Sequence, residues 1–255
     1  TGKAGLIAFR GAYHGLTLGS LSVTDRKDFR GPFVDRLADK TNFVSFPRNE
    51  EESIKVVIQI EDILRDKEAS IAPIGAIVIE PIQGRGGVRM APKGFLENLS
   101  RVCKEAGAVL VFDEIFTGMG RSGVVFETEA AGVVPDLVCL GKAMANGYPI
   151  SALVGKDSLK DAANKVYFSG TQFFNSAPMA ASKATLEELQ RVNAIEIMNA
   201  NGEKLKKDLI SAGDEFGLKM KVTGVPSMPY FRIEDQNKDF HIKWTDECLS
   251  LGLYL

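Results

Sequence analysis

Cysteine and long apolar runs are both scarce in this sequence. Of its 255 residues only three are cysteines, Cys103, Cys139 and Cys248, and no two of them have CxxC spacing. We therefore expect neither a disulfide framework nor a zinc site, and we predict a reducing compartment, the cytoplasm. No apolar run approaches the roughly 20 residues that cross a bilayer, so we expect no membrane span.

The charge balance leaves no basic surplus. The 31 Lys and Arg residues and the 33 Asp and Glu residues give a formal net charge of -2. Nucleic-acid backbones and anionic lipid surfaces attract clusters of positive charge. We therefore expect no nucleic-acid partner and no membrane partner for this protein.

Several catalytic motifs are also missing. The chain has only two histidines, His14 and His241, and it contains no GxSxG and no GxGxxG between a strand and a helix. Metal catalysis, a Ser-His-Asp hydrolase site and dinucleotide binding therefore lack their minimum parts.

The sequence does contain the material for a large buried core, because 45% of its residues are apolar. Short apolar runs alternate with longer segments of helical period, which predicts an α/β fold with a mainly parallel sheet flanked by helices. The predicted strands are residues 6–9, 76–79, 109–112, 137–140 and 151–154. The predicted helices are residues 53–67 and 93–106, followed by residues 177–211 as one long or two broken helices.

The pattern changes near residue 213. Short alternating pieces at residues 219–222 and 230–233, separated by a turn signal, predict a second, smaller α+β region. We predict a large domain over residues 1–212, which includes the long helical connection, and the start of a small domain over residues 213–255. The chain begins without an initiator Met and ends in an apolar stretch, so we expect both domains to be incomplete.

Ionisable side chains follow three of the predicted strands. Glu80, with Gln83 three residues later, follows the second strand, Asp113 follows the third, and Lys142 comes two residues after the fourth. Ligands bind beyond the carboxyl ends of the strands in open parallel sheets, so we expect these side chains around one crevice. Each alone has an ordinary interpretation as a turn residue, a helix cap or a solvated lysine. Their joint occurrence is what predicts a site.

A lysine and an acid at neighbouring strand ends suit Schiff-base chemistry. A lysine amine whose charged form is disfavoured by desolvation becomes a nucleophile that condenses with an aldehyde. A carboxylate facing a pyridine nitrogen stabilises the protonated ring, which draws electrons from the substrate bond that breaks. Lys142 and Asp113 are the residues predicted for these two roles.

The run that ends in Asp113 has an alternative interpretation, as the acidic strand end of a P-loop ATPase. That class of protein requires the motif GxxxxGK[ST]. The Gly-Lys pairs that begin at Gly2, Gly141 and Gly155 are followed by Ala, Ala and Asp. The ATPase interpretation therefore lacks its phosphate loop.

Four ordered motifs resemble those of a known enzyme family. They are residues 9–15 (FRGAYHG), 80–87 (EPIQGRGG), 113–123 (DEIFTGMGRSG) and 135–149 (PDLVCLGKAMANGYP). At these motifs, and over nearly the whole chain, the sequence resembles the class III, or ω-amino-acid, branch of the fold type I aminotransferases. The resemblance implies a fold type I large domain and a pyridoxal 5'-phosphate cofactor.

The resemblance also implies roles around the cofactor ring. It implies that Lys142 carries the cofactor as a Schiff base and later moves a proton at the substrate carbon, and that Asp113 pairs with the ring nitrogen. Tyr13 and Ile115 are expected on opposite faces of the ring. His14 adjoins Tyr13 and is grouped with the cofactor-binding residues, with a purely structural role as the open alternative.

Three further positions extend the implied site. By the same resemblance, Gln83 hydrogen-bonds the phenolic oxygen of the cofactor and Glu80 lies on the substrate side. Thr171 occupies the place where this family supplies a threonine to the phosphate of the neighbouring subunit's cofactor, although a threonine before a helix is ordinarily a cap. With that role, the working unit is a homodimer with a shared active site.

The predicted function is transamination, in which an amino group passes from an amino acid or ω-amino compound to a 2-oxo acid. From Ser169 onward, including residues 224–228, the sequence also resembles glutamate-1-semialdehyde aminomutases, so an aminomutase is the alternative within the family. A third alternative is an inactive fragment, because the family's serine-glycine phosphate loop is absent from the sequence.

Overall fold

The computed structural model describes residues 1–38, 40–65, 71–234 and 238–254. The strands in these residues are, in chain order, β1 (Gly5–Phe9), β2 (Thr41–Val44), β3 (Ile74–Ile79), β4 (Ile82–Gln83), β5 (Arg89–Met90), β6 (Val109–Asp113), β7 (Leu137–Leu140), β8 (Ala152–Gly155), β9 (Met220–Thr223) and β10 (Tyr230–Ile233). The α-helices are α1 (Leu18–Val23), α2 (Lys27–Arg30), α3 (Glu50–Arg65), α4 (Phe95–Ala106), α5 (Glu127–Ala130), α6 (Lys160–Ala163), α7 (Ser176–Arg191), α8 (Ala194–Glu215) and α9 (Lys238–Ser250). Single 3-10 segments cover Gly31–Arg36, Lys142–Met144 and Asp157–Leu159. None of these described helices has both the length and the apolarity that crossing a membrane requires.

Six of the strands form one central sheet in the order β2-β1-β3-β6-β7-β8. The first five of these run parallel, and β8 pairs antiparallel with β7. The register places Ile79 opposite Phe112 and Phe112 opposite Val138. The predicted α/β fold with a mainly parallel sheet flanked by helices is therefore confirmed.

Each strand predicted for the sheet is present, with bounds that differ by at most two residues. The edge strand β2 has no counterpart among the predicted strands. Its four residues, Thr-Asn-Phe-Val, include only two apolar side chains, and it pairs with β1 alone. A short half-polar edge strand lacks the continuous apolar run that marks a buried parallel strand.

Helices α3 and α4 bury their apolar sides in the core of the sheet. Their buried positions recur three and four residues apart, as an amphipathic helix requires, and are Ser53, Val56, Val57 and Ile60 on α3 and Phe95, Leu96, Leu99, Val102 and Cys103 on α4. They share one cluster with strand residues such as Phe9, Ile77 and Phe112. Each fully buried side chain of this size contributes about 1.5–3 kcal/mol, so this cluster determines which face of the sheet the two helices cover.

The two predicted helices 53–67 and 93–106 correspond to α3 and α4 with shifted starts. Helix α3 begins earlier because Asn49 Oδ1 accepts a hydrogen bond from the Glu52 backbone N–H at 2.9 Å, which caps its first turn. Residues 66 and 67 of the predicted helix lie outside the described residues. Helix α4 begins two residues late because Gly94 has a φ of 76°, outside the helical region.

The long helical segment predicted at residues 177–211 forms two helices, α7 and α8. The break falls at Val192 and Asn193, where Asn193 has a φ of 52°. Asparagine tolerates this left-handed conformation better than most residues because its short side chain hydrogen-bonds locally. The chain therefore turns here without a glycine or a proline.

Beyond α8, the strands β9 and β10 form an antiparallel hairpin. Two glycines of α8, Gly202 and Gly213, allow it to approach, because a Cβ at Gly202 would collide with the Pro226 carbonyl and one at Gly213 with the Met220 side chain. The two glycines are eleven residues apart, which is about three helical turns, so they lie on the same side of the helix.

Two isoleucines of α3 provide a matched test of this packing. Ile60 is fully buried, whereas Ile54 is 63% exposed. We expect Ile60→Ala to lower the free energy of unfolding by about 2–5 kcal/mol because it leaves a cavity, and Ile54→Ala to change it by less than about 0.5 kcal/mol. Urea denaturation measures both values, and equal losses would contradict the placement of α3.

Candidate active site

Three neighbouring strands, β3, β6 and β7, end at the same edge of the sheet, since they run parallel. Glu80 directly follows β3, Asp113 is the last residue of β6, and Lys142 is the second residue after β7. Strands in a sheet lie about 4.8 Å apart. The three side chains that the sequence predicts at one crevice are therefore brought to one edge.

Asp113 makes a close pair with His14. The distance between Asp113 Oδ2 and His14 Nδ1 is 2.7 Å, and the two side chains are 9% and 3% exposed. The other carboxylate oxygen, Oδ1, accepts a hydrogen bond from the Ile115 backbone N–H at 3.1 Å. His14 Nε2 is buried and has no hydrogen-bond partner among the described residues. This arrangement fixes the carboxylate in a largely buried position.

Glu80 connects two loops through its carboxylate. Oε1 accepts a hydrogen bond from the Tyr13 backbone N–H at 2.8 Å, and Oε2 accepts one from the Gly84 backbone N–H at 3.1 Å. Burial raises the pKa of Glu80 above its ordinary value, while His14 and the two backbone donors act in the opposite direction. The loop after β1 and the loop after β4 are thus held together by one side chain.

Gln83 is fully buried at the start of the second of these loops. Its Nε2 donates a hydrogen bond to the Arg10 carbonyl at 3.0 Å, and its Oε1 has no partner among the described residues. A Cβ at Gly86 would lie 2.9 Å from Oε1, so a side chain at this position would force the Gln83 amide to shift. Glycine at position 86 thus lets the Gln83 amide keep this position, in which Oε1 has an unused capacity to accept a hydrogen bond.

Lys142 has a left-handed backbone, with a φ of 44°. A lysine in this conformation is strained, and such strain is concentrated at functional sites. Its Nζ lies 5.3 Å from the centre of the Phe116 ring and has no acidic partner among the described residues. The side chain lines a cavity of about 400 Å³ together with Asn146 and Tyr148.

Of the other residues implied in the site, some lie near the strand ends and one does not contact them through a hydrogen bond. A Cβ on Gly141 would lie 3.7 Å from Ile115 Cγ2, so Ile115 lies beside the backbone that carries Lys142. The Tyr13 ring is half-buried and contacts the ring of Phe29. Thr171 is exposed, and no hydrogen bond joins it to the strand ends in the described part of the chain.

Sequence reasoning did not identify the role of Glu114. This residue is 1% exposed and accepts hydrogen bonds from Thr117 Oγ1 at 3.2 Å and from the backbone N–H groups of Glu127 and Thr128 at 2.8 and 3.0 Å. Those two N–H groups belong to the first turn of α5, where backbone N–H groups have no hydrogen-bond partner within the helix. Burial raises the pKa of Glu114. Its carboxylate links the loop after Asp113 to α5. In the sequence, the feature that pointed to Glu114 was the pair of consecutive acids at the end of the predicted strand.

A family profile described as Aminotransferase class-III matches residues 1–253. The chain belongs to the class III aminotransferases. It is 36% identical over 233 residues to a 5-aminovalerate aminotransferase of Pseudomonas aeruginosa, and the aligned residues cover 88% of this chain and 52% of that protein. It is 35% identical over 190 residues to an acetylornithine aminotransferase of Methanosarcina mazei, and that alignment covers 74% of this chain and 45% of the relative.

The fold is likewise shared with solved structures. The ornithine aminotransferase of Toxoplasma gondii superimposes with a TM-score of 0.83 at 21% identity, over 100% of this chain and 57% of that one. This class III aminotransferase chain spans about half the length of the curated relatives it matches. The relatives carry the names of aminotransferases, which favours the transaminase prediction over the aminomutase alternative.

The role of Glu114 can be tested in this class III aminotransferase chain. Glu114→Gln replaces one accepting oxygen by an amide that cannot accept, so at least one buried donor loses its partner. We expect the free energy of unfolding to fall by about 1–3 kcal/mol. Glu129→Gln, at an exposed position of α5, should change it by less than about 0.5 kcal/mol. Urea denaturation compares the two variants, and equal effects would refute the proposed tie.

Proposed function

We propose that this chain is part of a pyridoxal-phosphate-dependent transaminase, which moves an amino group from an amino acid or ω-amino compound to a 2-oxo acid. One observation carries the proposal. In this class III aminotransferase chain, the amine of Lys142 and the buried carboxylate of Asp113 lie at the ends of adjacent parallel strands, at one edge of the sheet. Among the described residues the amine has no acidic partner, and the carboxylate is paired with His14.

The chain's residues fit this cofactor. Bound pyridoxal phosphate supplies an aldehyde that takes up the amino group and a ring that withdraws electrons from the substrate carbon. Asp113 accepts hydrogen bonds from His14 and from the Ile115 N–H, and a carboxylate has about four lone-pair sites. Capacity therefore remains for a protonated ring nitrogen, and His14 acts as a positioning residue for the carboxylate.

Lys142 is the residue proposed to attach the cofactor and to move a proton at the substrate carbon. Its Nζ is not held by an acid among the described residues. An amine that no salt bridge holds in place can approach an aldehyde carbon and form the Schiff base. The same amine then accepts the proton as a general base.

Four other residues complete the proposed site. We assign Tyr13 and Ile115 to opposite faces of the ring, Gln83 to the phenolic oxygen and Glu80 to the substrate side. Supporting these assignments, Ile115 lies beside Gly141, and the Glu80 carboxylate binds the Tyr13 N–H. The unpartnered Oε1 of Gln83 is a buried polar atom that a ligand proton could satisfy.

The working unit of this proposal is a homodimer with a shared active site. The segment around Thr171 exposes several large apolar side chains, Val166, Tyr167, Phe168, Phe173 and Phe174. Tyr167 is 92% exposed and Phe174 is 87% exposed. An exposed apolar patch of this kind marks a protein interface. A partner that covers this segment would receive Thr171 near its own cofactor phosphate.

The division into a large domain, residues 1–212, and the start of a small domain, residues 213–255, belongs to the same proposal. In its favour, the hairpin β9-β10 folds back onto α8 at Gly213, the predicted boundary. A cytoplasmic location is also proposed, because Cys103, Cys139 and Cys248 are free thiols.

The cofactor proposal is tested with the complete protein and added pyridoxal phosphate. We expect a visible absorption band and, after borohydride reduction, a cofactor mass attached to the peptide that contains Lys142. Lys142→Ala should lose both and lower kcat at least about 100-fold. Lys165→Ala, at an exposed lysine without a role in the site, should retain both. An unreactive wild-type protein would favour the inactive alternative, and an unaffected Lys142→Ala would refute the assignment.

The dimer proposal is tested by sedimentation. Each residue of a two-fold interface is used twice, and one buried phenylalanine contributes about 1.5–3 kcal/mol. We therefore expect Phe174→Asp to raise the dimer dissociation constant at least about 100-fold. Phe216→Asp, at a phenylalanine that is 74% exposed after α8, serves as the control and should remain dimeric. A wild-type monomer, or equal effects of both changes, would contradict the interface.

A further inference from the structure

Arg85 is an exposed positive charge in the loop after β4 and has no acidic partner among the residues that the structure describes. Its Cζ lies 5.1 Å from the centre of the Tyr13 ring and 5.7 Å from the centre of the Phe29 ring. The residue is exposed, and no ion pair or side-chain hydrogen bond joins it to the part of the chain that the structure describes. Its guanidinium is therefore positioned by aromatic contacts alone.

The loop that carries Arg85 is fixed to the same crevice as Lys142. The Gly84 N–H and the Tyr13 N–H bind the two oxygens of Glu80. A Cβ at Gly84 would collide with the Phe116 ring, and Lys142 Nζ lies 5.3 Å from the centre of that ring. These contacts run continuously from the amine to the loop that presents Arg85.

A second arginine, Arg26, contacts the same aromatic ring and binds a carboxylate at the same time. Arg26 Cζ lies 5.2 Å from the centre of the Phe29 ring. Its Nε and Nη2 donate to the two oxygens of Asp28 at 3.2 and 3.0 Å. Stacking occupies the face of a guanidinium and leaves its edge free for a two-point bond to a carboxylate. Arg85 has the aromatic contact, but no carboxylate of the described residues binds it.

Neither acid of the site, Glu80 or Asp113, forms an ion pair with Arg85 in the described part of the chain. Both oxygens of Glu80 accept backbone hydrogen bonds, and both oxygens of Asp113 accept bonds from His14 and Ile115. An arginine remains charged at any physiological pH. No described acid therefore neutralises the charge of Arg85.

We propose that Arg85 binds a substrate carboxylate through a two-point contact and thereby makes the enzyme select amino acids over simple amines. This inference rests on the proposed transaminase function, of which it specifies the substrate class. The specificity arises because a carboxylate gains two charge-assisted hydrogen bonds at this position, whereas an amine of the same length without a carboxylate gains none.

The experiment compares 5-aminopentanoate with pentylamine, which has the same carbon chain without the carboxylate. With the cofactor-loaded complete protein, loss of the visible band in a single turnover gives kcat/KM for each amine. We expect Arg85→Gln to lower the ratio of the two values about 10- to 100-fold, the size of one charge-assisted contact. Arg26→Gln removes the other guanidinium on Phe29, which already has its own carboxylate, and should leave the ratio unchanged.

Pentylamine turnover also serves as the folding control, since it should be the same in the Arg85→Gln variant and in the wild type. An unchanged ratio, or an equal loss for both amines, would overturn the inference. Calorimetric titration with pentanoate, which cannot react, provides a separate measurement and should show weaker binding in Arg85→Gln only. A wild-type protein that reacts with neither amine contradicts the transaminase proposal, while the pentanoate titration still decides the role of Arg85.

Discussion

The parallel pairing of β3, β6 and β7 is the constraint on which the candidate site depends. Because the register sets Ile79 against Phe112 and Phe112 against Val138, the residues that follow these strands emerge together at one edge. The register is itself fixed by burial, since a slip of one residue would move apolar side chains such as Ile77 and Phe112 out of the core. The hydrophobic core therefore determines where the reactive side chains lie.

The buried acids of the site accept hydrogen bonds from backbone N–H groups in addition to carrying charge. Glu80 joins the loops at Tyr13 and Gly84, and Glu114 joins the loop after Asp113 to α5. Burying a carboxylate is unfavourable, and the pKa of each of these two is raised by it. The backbone donors offset part of that cost. Loops that would otherwise move are thus fixed where a ligand must be oriented.

Much of this arrangement could be predicted from the sequence, because its signals are local. The apolar runs before Glu80, Asp113 and Lys142 predict strands, and the parallel pattern predicts a common edge. The pairing of His14 with Asp113 could not be predicted, since the two are separated by 99 positions and meet only through the fold. The position of Arg85 over Tyr13 could not be predicted either, because it depends on the hydrogen bonds by which Glu80 joins the two loops.

The distribution of charge in the site follows from these same contacts. The acids Glu80 and Asp113 are buried and satisfied by donors of the protein, whereas Lys142 and Arg85 have no acidic partner in the described residues. The donors around each buried carboxylate offset part of its negative charge. Arg85 keeps its full positive charge, whereas Lys142 is the amine proposed to react. In the proposed arrangement a ligand carboxylate is therefore attracted to the exposed Arg85, and the reactive end of the ligand lies toward Lys142 and the strand ends.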